Sequence, residues 1–185
     1  IRSERGIETF DAVVMACHAP TALRVLDARP DEARVLGGFR YQDNEAYLHV
    51  DSALLPKREK VWSAWNYLAA GDQARGLSQE RPVAVTYLIN LLQPLPFKTP
   101  VMVTLNPYEP PAEDKLIRRI GYSHPVMDQA AIDAQRRLPD IQGQDRVWFC
   151  GAWCGYGFHE DGLKSALAVV RDFDVPIPWS VGEHA

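Results

Sequence analysis

The sequence lacks the features that mark several common classes of protein. Its 185 residues include only three cysteines, Cys17, Cys150 and Cys154, which are too few and too odd in number for the disulfide framework of a small secreted protein. No apolar run approaches the ~20 residues that a helix needs to span a bilayer, and no signal-peptide core follows Ile1. We therefore expect a cytoplasmic protein with no membrane span.

An excess of charge of one sign is also missing. The chain carries 20 Lys and Arg residues against 24 Asp and Glu residues, for a formal net charge of −4. Because the two signs are interspersed, we expect no nucleic-acid groove and no patch for an anionic membrane. Internal repeats and low-complexity segments are absent from the sequence. A hydrophobic content of 46% suffices for one substantial core, or for one domain and part of another.

The residues best suited to bind a ligand lie between Arg146 and Phe173. An apolar run at the start of this stretch, Val147–Cys150, predicts a short buried strand. Glycines then recur at short intervals: Gly151, Gly155 and Gly157. Such spacing lets the backbone turn sharply and approach a ligand closely.

A helix is predicted after this glycine-rich turn. Its apolar residues recur at i, i+3, i+4 and i+7, which is one face of a helix: Leu163, Ala166, Leu167 and Val170. Asp161 is a candidate N-cap, and Glu160 and Asp161 both suit the positive end of the helix dipole. A helix start of this kind presents free backbone N–H groups to an electron-rich ligand atom.

This segment resembles a known flavin-binding motif. Residues 149–166 read Phe-Cys-Gly-Ala-Trp, three further residues, then Gly-Phe-His-Glu-Asp-Gly-Leu-Lys-Ser-Ala, which is similar to the C-terminal flavin-binding segment of the amine oxidase and phytoene desaturase superfamily of FAD-dependent oxidoreductases. Within it, the chain most resembles the bacterial predicted NAD/FAD-binding proteins associated with cyclopropane fatty acid synthases. Further similar segments bring the resemblance to most of residues 8–173: Tyr41–Asp51, Trp62–Tyr67, Val85–Gln93, Thr104–Pro107 and Tyr122–Pro125.

The resemblance implies FAD as the cofactor and a hydride transfer from an organic C–H bond to the flavin. It implies that Gly151 lets the backbone pass the ribityl chain, and that Trp153 or Phe158 packs beside the ring. The N–H groups near Asp161 and Gly162 would face the electron-rich N1–C2=O edge of the isoalloxazine. The expected cofactor-binding residues are Gly151, Ala152, Trp153, Gly157, Phe158, His159, Glu160, Asp161 and Gly162.

Two other interpretations of residues 150–162 stay open. Cys150, Cys154 and His159 have a spacing seen in zinc sites, but no fourth ligand follows at a recognisable interval, so we expect no metal. Alternatively, the glycine-rich turn serves the fold alone. Cys154 does not match the position at which some amine oxidases attach flavin covalently.

The family's dinucleotide fingerprint, G-x-G-x-x-G, is missing from the sequence. The chain begins at Ile1 within a charged stretch. We therefore expect a C-terminal fragment of a longer flavoprotein, inactive by itself, whose partner is the missing N-terminal FAD-binding half. The apolar surface left where that half docked would favour a homodimer of the fragment or aggregation.

Upstream, the apolar run Phe10–Cys17 predicts a strand buried on both faces, followed by a short helix that opens at Pro20. His18 lies at the carboxyl end of this strand, where open α/β sheets place ligands, although an ordinary loop residue is the commoner meaning. Between Gly37 and Pro107, alternation with a period of two predicts an antiparallel or mixed sheet. The alternating runs are 45–50, 61–68, 83–89 and 101–105.

In the family, such a sheet forms one wall of a substrate cavity. We name Trp62, Trp65 and Tyr67, all in one predicted strand, and His49 as candidates for this cavity, with sheet packing as the alternative. His49 and Asp51 share a strand face, so they form either an acid–base pair or a structural contact. No catalytic residue is assigned.

The remaining pattern gives a helix over Asp128–Leu138, capped by Asp128 and ended by Pro139, and an extended tail that contains Pro176 and Pro178. The fold class is α/β in the mixed α+β sense. The expected divisions are residues 1–35, a return segment of a Rossmann-like FAD/NAD(P)-binding domain; 36–125, an antiparallel or mixed β-sheet substrate domain; 126–175, a helix and the C-terminal FAD-binding segment; and 176–185, the tail.

The predicted function is that of an FAD-dependent oxidoreductase acting on a small molecule, either an amine or a lipid-like compound. The alternative belongs to another class: a non-catalytic β-sheet module that docks a partner protein and binds no flavin.

Overall fold

The structure is a computed structural model that describes residues 1–68, 84–177 and 179, and over these residues the fold is mixed α+β. The strands are β1 (Arg2–Ser3), β2 (Gly6–Ile7), β3 (Val13–Met15), β4 (Tyr41–His49), β5 (Trp65–Leu68), β6 (Ala84–Leu88), β7 (Met102–Leu105), β8 (Leu116–Pro125) and β9 (Val147–Phe149). The helices are α1 (Ala19–Val25), α2 (Pro30–Leu36), α3 (Ile89–Leu92), α4 (Gln129–Arg137) and α5 (His159–Asp172). The chain divides into two compact units, Ile1–Tyr41 with Pro125–Ala185, and Gln42–His124.

The first unit is built around a parallel pair of strands, β3 and β9, in which Val14 lies opposite Trp148. Phe149 of β9 is fully buried, and the indole of Trp153 meets the Phe39 ring edge-on at 4.6 Å between centroids. Helices α1, α2 and α4 supply most of the other side chains of this core: Ala19, Ala22, Val35, Leu36, Ala131, Ala134, Leu138 and Ile141. Aromatic packing of this geometry adds to the free energy gained from apolar burial.

The strand predicted over Phe10–Cys17 is shorter than expected and is not buried on both faces. It covers Val13–Met15 only, and Val14 remains 45% exposed. Among the described residues β3 pairs with β9 alone, and a two-stranded sheet covers few side chains on its faces. The prediction was wrong because a continuous apolar run does not reveal how many strands flank it.

The helix ends of the first unit follow their capping residues. Asp128 accepts a hydrogen bond from the Ala131 N–H at 2.9 Å, which confirms it as the N-cap of α4. Helix α2 was not predicted, although Pro30 at its first position and Glu32 in its first turn are known start signals. The Glu32 carboxylate accepts the Arg29 N–H at 2.9 Å, so this helix start is also satisfied.

The second unit contains a five-stranded sheet in the order β5-β6-β7-β4-β8. The pairs β5–β6, β6–β7 and β7–β4 are antiparallel, which agrees with the antiparallel or mixed sheet that the alternating runs predicted. Strand β8 was missed because it lies at the sheet edge, where charged residues such as Arg118 and Arg119 hide the alternation. Trp62 does not share a strand with Trp65: a 3₁₀ turn over Glu59–Val61 precedes it, and β5 begins only at Trp65. Val83 of the predicted run, like Pro178 of the tail, lies outside the described residues.

The two faces of this sheet differ in burial. One face is closed, and its side chains are buried: Tyr47, His49, Asn66, Ala84, Thr86, Leu88, Met102 and Thr104. The other, which we call the open face, is less covered, and apart from the buried Ala46 its side chains are half-buried or exposed: Leu48, Trp65, Tyr67, Val85, Tyr87, Val103 and Leu105. Trp65 and Tyr67 are 63% and 62% exposed, so the aromatic density of β5 does not belong to a core.

Among the described residues, no helix is both long and apolar enough to cross a bilayer.

Candidate functional site

The glycine-rich turn joins β9 to α5 and depends on two unusual backbone conformations. Gly151 has φ of 152° and Gly157 has φ of 94°, both in regions that side chains disfavour. A Cβ atom on Gly151 would lie 2.6 Å from Nε1 of Trp153. Between these glycines, Ala152–Cys154 form a 3₁₀ turn. Glycine is thus required at position 151 both for the backbone angle and for space.

Helix α5 begins two residues before the predicted cap. Its N-cap is Phe158, and Asp161 lies at the third helical position. The Asp161 carboxylate accepts the backbone N–H groups of Tyr156 and Phe158, each at 3.0 Å. The prediction of Asp161 as N-cap was wrong. Its carboxylate accepts N–H groups of residues that precede the helix, as the third helical residue does in a capping box.

The free N–H groups of the helix start are consequently not those named from the sequence. The N–H groups of Asp161 and Gly162 both donate to the carbonyl oxygen of Phe158, at 3.0 and 3.2 Å. Within the described part of the chain, the N–H groups of His159 and Glu160 find no hydrogen-bond acceptor. These two groups are the ones available to a ligand.

The start of α5 is open on its outer side. Tyr156 and Phe158 are 75% and 65% exposed, and His159 and Glu160 are exposed as well. The Glu160 carboxylate lies 3.8 Å from Nζ of Lys164, one turn along the helix. Because no side chain of residues 1–68, 84–177 or 179 covers the helix start, an electron-rich group can reach the N–H groups of His159 and Glu160.

Side chains from three elements hold the turn in place. Nε1 of Trp153 donates to the carbonyl oxygen of Cys17 at 3.0 Å, which ties the turn to the end of β3. Oγ of Ser165 on α5 lies 2.9 Å from the N of Gly151, and Nε2 of Gln135 on α4 donates to the carbonyl oxygen of Gly155 at 2.7 Å. Sequence reasoning missed Ser165 and Gln135, because side chains that bind backbone across elements leave no local pattern.

The three cysteines are unpaired thiols near this turn. Burial raises the pKa of Cys150, and burial raises that of Cys154 to about 12. Thiols with raised pKa values stay protonated at neutral pH and are poor metal ligands. In the described residues no cluster of His, Cys, Asp or Glu is arranged to hold a metal ion.

His18 lies at the carboxyl end of β3, and its ring packs on Tyr41 at 4.6 Å between centroids. The imidazole is exposed, whereas burial raises the pKa of Tyr41 to about 12. An exposed imidazole at this end of a parallel strand pair lies where open α/β sheets place ligands.

The substrate-cavity candidates do not lie together. His49 is fully buried on the closed face. Trp62 packs against Leu55, Leu88 and Met102 and donates through Nε1 to the carbonyl oxygen of Pro56 at 2.8 Å. Trp65 and Tyr67, in contrast, lie on the open face, where Trp65 meets Tyr87 edge-on at 5.6 Å.

His49 and Asp51 are close, but they do not form an acid–base pair. Nδ1 of His49 accepts the backbone N–H of Asp51 at 3.1 Å, not a proton from its carboxyl group. The Asp51 carboxylate instead accepts from the Ala112 N–H and from Nζ of Lys115, at 3.0 and 3.1 Å. Both side chains therefore have structural partners in the second unit.

Comparison with known proteins gives structural likeness only. No family model matches the sequence, and no curated protein matches it. The similar solved structures include a fatty acid isomerase from P. acnes that produces CLA (14% identity, TM-score 0.56, covering 89% of this chain) and a candidate protoporphyrinogen oxidase from Exiguobacterium sp. 255-15 (12% identity, TM-score 0.58, covering 92%). The chain spans 42% of the length of each. At this identity the likeness shows a shared fold.

Proposed function

We propose that the chain is the C-terminal, flavin-contacting part of an FAD-dependent oxidoreductase. The observation that carries this proposal is the uncovered start of α5, with the unbonded N–H groups of His159 and Glu160 beside the glycine-rich turn. The sequence resemblance of residues 149–166 and the shared fold with two solved structures support it. We further propose that β3 and β9 belong to a Rossmann-like sheet.

The residues at the turn fit the pyrimidine edge of a flavin. That edge is electron-rich and gains negative charge on reduction, and the N–H groups of His159 and Glu160 are donors at the positive end of a helix dipole. The exposed Gly157 presents backbone, and no side chain, at the surface of the turn. Bound flavin would supply the redox chemistry by accepting a hydride from a substrate C–H bond.

Exposed aromatic rings beside the turn supply an apolar boundary. Tyr156 and Phe158 would exclude water from the ring of the cofactor, and the Glu160 charge is partly offset by Lys164. Hydride transfer from a C–H bond needs placement of the substrate more than it needs a nucleophile. The chain can therefore contribute to this reaction through binding and electrostatics.

A lipid-like substrate fits the second unit better than an amine. The open face carries apolar and aromatic side chains, and its described strand residues include no carboxylate that could pair with an ammonium group. One of the structurally similar proteins is a fatty acid isomerase, which agrees with this choice. We therefore propose that the open face contacts an apolar chain.

The test is the visible spectrum of the purified protein, isolated in its longest expressed form. A flavoprotein should show bands at roughly 370 and 450 nm, and these should bleach anaerobically when a lipid-like substrate is added. Absence of both bands, even after incubation with FAD, would sink the proposal.

The open face also favours a second candidate function, a β-sheet module that docks a protein. Trp65 and Tyr67 are the kind of exposed aromatic residues found at protein interfaces. The same spectrum separates the two candidates, because a docking module would carry no flavin.

A further inference from the structure

The Asp161 carboxylate lies inside the glycine-rich turn. A single oxygen, Oδ2, accepts the N–H groups of Tyr156 and Phe158, each at 3.0 Å. These two residues flank Gly157, whose φ is 94°. One acceptor thus holds both sides of the strained residue, and it does so from the first turn of α5.

The backbone is fitted closely around this carboxylate. A Cβ atom on Gly155 would lie 2.6 Å from both Cγ and Oδ1 of Asp161. Glycine at position 155 is therefore explained by the carboxyl group and not by its own backbone angle. Residues 155–158 therefore lie close around the Asp161 side chain, and its Oδ2 is engaged by their N–H groups.

We propose that Asp161 is the positioning residue of the flavin site. Its two hydrogen bonds fix residues 155–158, and this arrangement keeps the N–H groups of His159 and Glu160 clear of protein acceptors. The inference rests on the proposed function for its ligand. The part of the proposal that concerns structure, namely that Asp161 fixes the turn, rests on its hydrogen bonds to Tyr156 and Phe158 and does not depend on the flavin.

The action of Asp161 runs through hydrogen bonds and not through charge. A negative charge beside the electron-rich edge of a flavin would oppose reduction, so a direct electrostatic contribution would have the unfavourable sign. Asparagine has an oxygen in the same place and can accept both N–H groups without the charge. Alanine can accept neither of them.

The experiment compares Asp161→Ala and Asp161→Asn with Asp133→Ala as the control, each made in the longest expressed form of the protein. Asp133 is an exposed carboxylate on α4 that pairs with Arg136, far along the chain from the turn. The first measurement is the rate of chymotrypsin cleavage after Tyr156 and Phe158 in flavin-free protein. The second is the Kd for FAD from fluorescence quenching.

Because Asp161→Ala removes the acceptor of both N–H groups, we expect cleavage at least about tenfold faster and FAD binding about tenfold weaker in this variant. Asp161→Asn and Asp133→Ala should stay within about twofold of the wild type in both measurements. An Asp161→Ala protein with wild-type affinity for FAD would overturn the proposal. So would an Asp161→Asn protein impaired as much as Asp161→Ala, since charge would then be the cause.

Failure of the proposed function would look different. A wild-type protein that takes up no FAD would refute the flavin assignment, while the cleavage rates of the two Asp161 variants would still decide whether this carboxylate fixes the turn. Equal cleavage rates in all three variants would refute that as well.

Discussion

Nε2 of His49 lies 2.7 Å from Oγ1 of Thr104 on the closed face of the five-stranded sheet. Because Nδ1 of His49 accepts the backbone N–H of Asp51, the ring proton is on Nε2 and is donated to Thr104. Oγ1 of Thr104 lies in turn 2.9 Å from Oγ1 of Thr86. This buried row of polar groups is satisfied only while His49 is neutral.

Stability of the second unit should therefore fall in mild acid. Burial lowers the pKa of His49 below 6.5 in the folded state, so the unfolded chain takes up a proton first as pH falls. The stabilisation is complete above about pH 6.5 and is lost progressively as pH falls toward the lower folded pKa. Urea unfolding at pH 7.5 and 5.5 measures the difference. His49→Gln should lose this part of the pH dependence, and an equal dependence in both proteins would contradict the assignment.

A second acid transition should come from Asp51 at lower pH. Hydrogen bonding from the Ala112 N–H, followed by the contact with Lys115, brings the pKa of Asp51 from 3.8 to about 2. Since the folded pKa is lowered, the stabilisation is present above about pH 4 and is lost as pH falls through the folded value.

We expect Asp51→Ala to cost about 2 kcal/mol of unfolding free energy at pH 7, because the partly buried hydrogen bond from the Ala112 N–H and the contact with Lys115 would both be lost. Asp51→Asn, which can still accept that bond, should cost less. The gap between the wild type and each variant should narrow as pH falls toward 2, and a constant gap across pH would count against the charge of the carboxylate as a cause.

Features that depend on neighbouring residues were predicted well from the sequence, and features that depend on distant residues were not. Helix α4 was predicted well, since Asp128 and Pro139 act on their own neighbours. At α5 the helix was found, but its first residue was not: Asp161 is acidic either as an N-cap or as the third helical residue, and only the folded turn distinguishes them.

Contacts between distant residues were beyond the sequence. Gln135 and Ser165 hold the glycine-rich turn through backbone atoms of another segment, which no periodicity records. The two faces of β5 were likewise ambiguous, because alternation gives two sets of side chains but not the set that is covered. Trp65 could be placed on the open face only once the sheet order was known.

Two substitutions of Gly162 should distinguish the effect of backbone flexibility from the effect of a steric clash. A Cβ atom there would meet the backbone N of Ala152 at 3.6 Å, an ordinary contact, and the residue is helical. Gly162→Ala should thus raise the free energy of unfolding by up to about 1 kcal/mol, as expected for alanine in a helix. Gly162→Leu would push into the Ala152 backbone and should abolish flavin retention. Thermal unfolding and flavin content measure both effects, and full flavin content in Gly162→Leu would remove the turn from the site.

Truncation of two tryptophans that are close together in the sequence should affect stability to different extents. Trp62→Ala removes packing against Leu88 and Met102 and the bond to Pro56, so it should cost about 2 kcal/mol of unfolding free energy. Because Trp65 is 63% exposed on the open face, Trp65→Ala should cost less than about 0.5 kcal/mol of unfolding free energy. If the open face contacts a lipid-like substrate, Trp65→Ala should still weaken that binding severalfold. Denaturation curves and titration with a fatty acid test both halves, and unchanged affinity in Trp65→Ala would remove the open face from the substrate site.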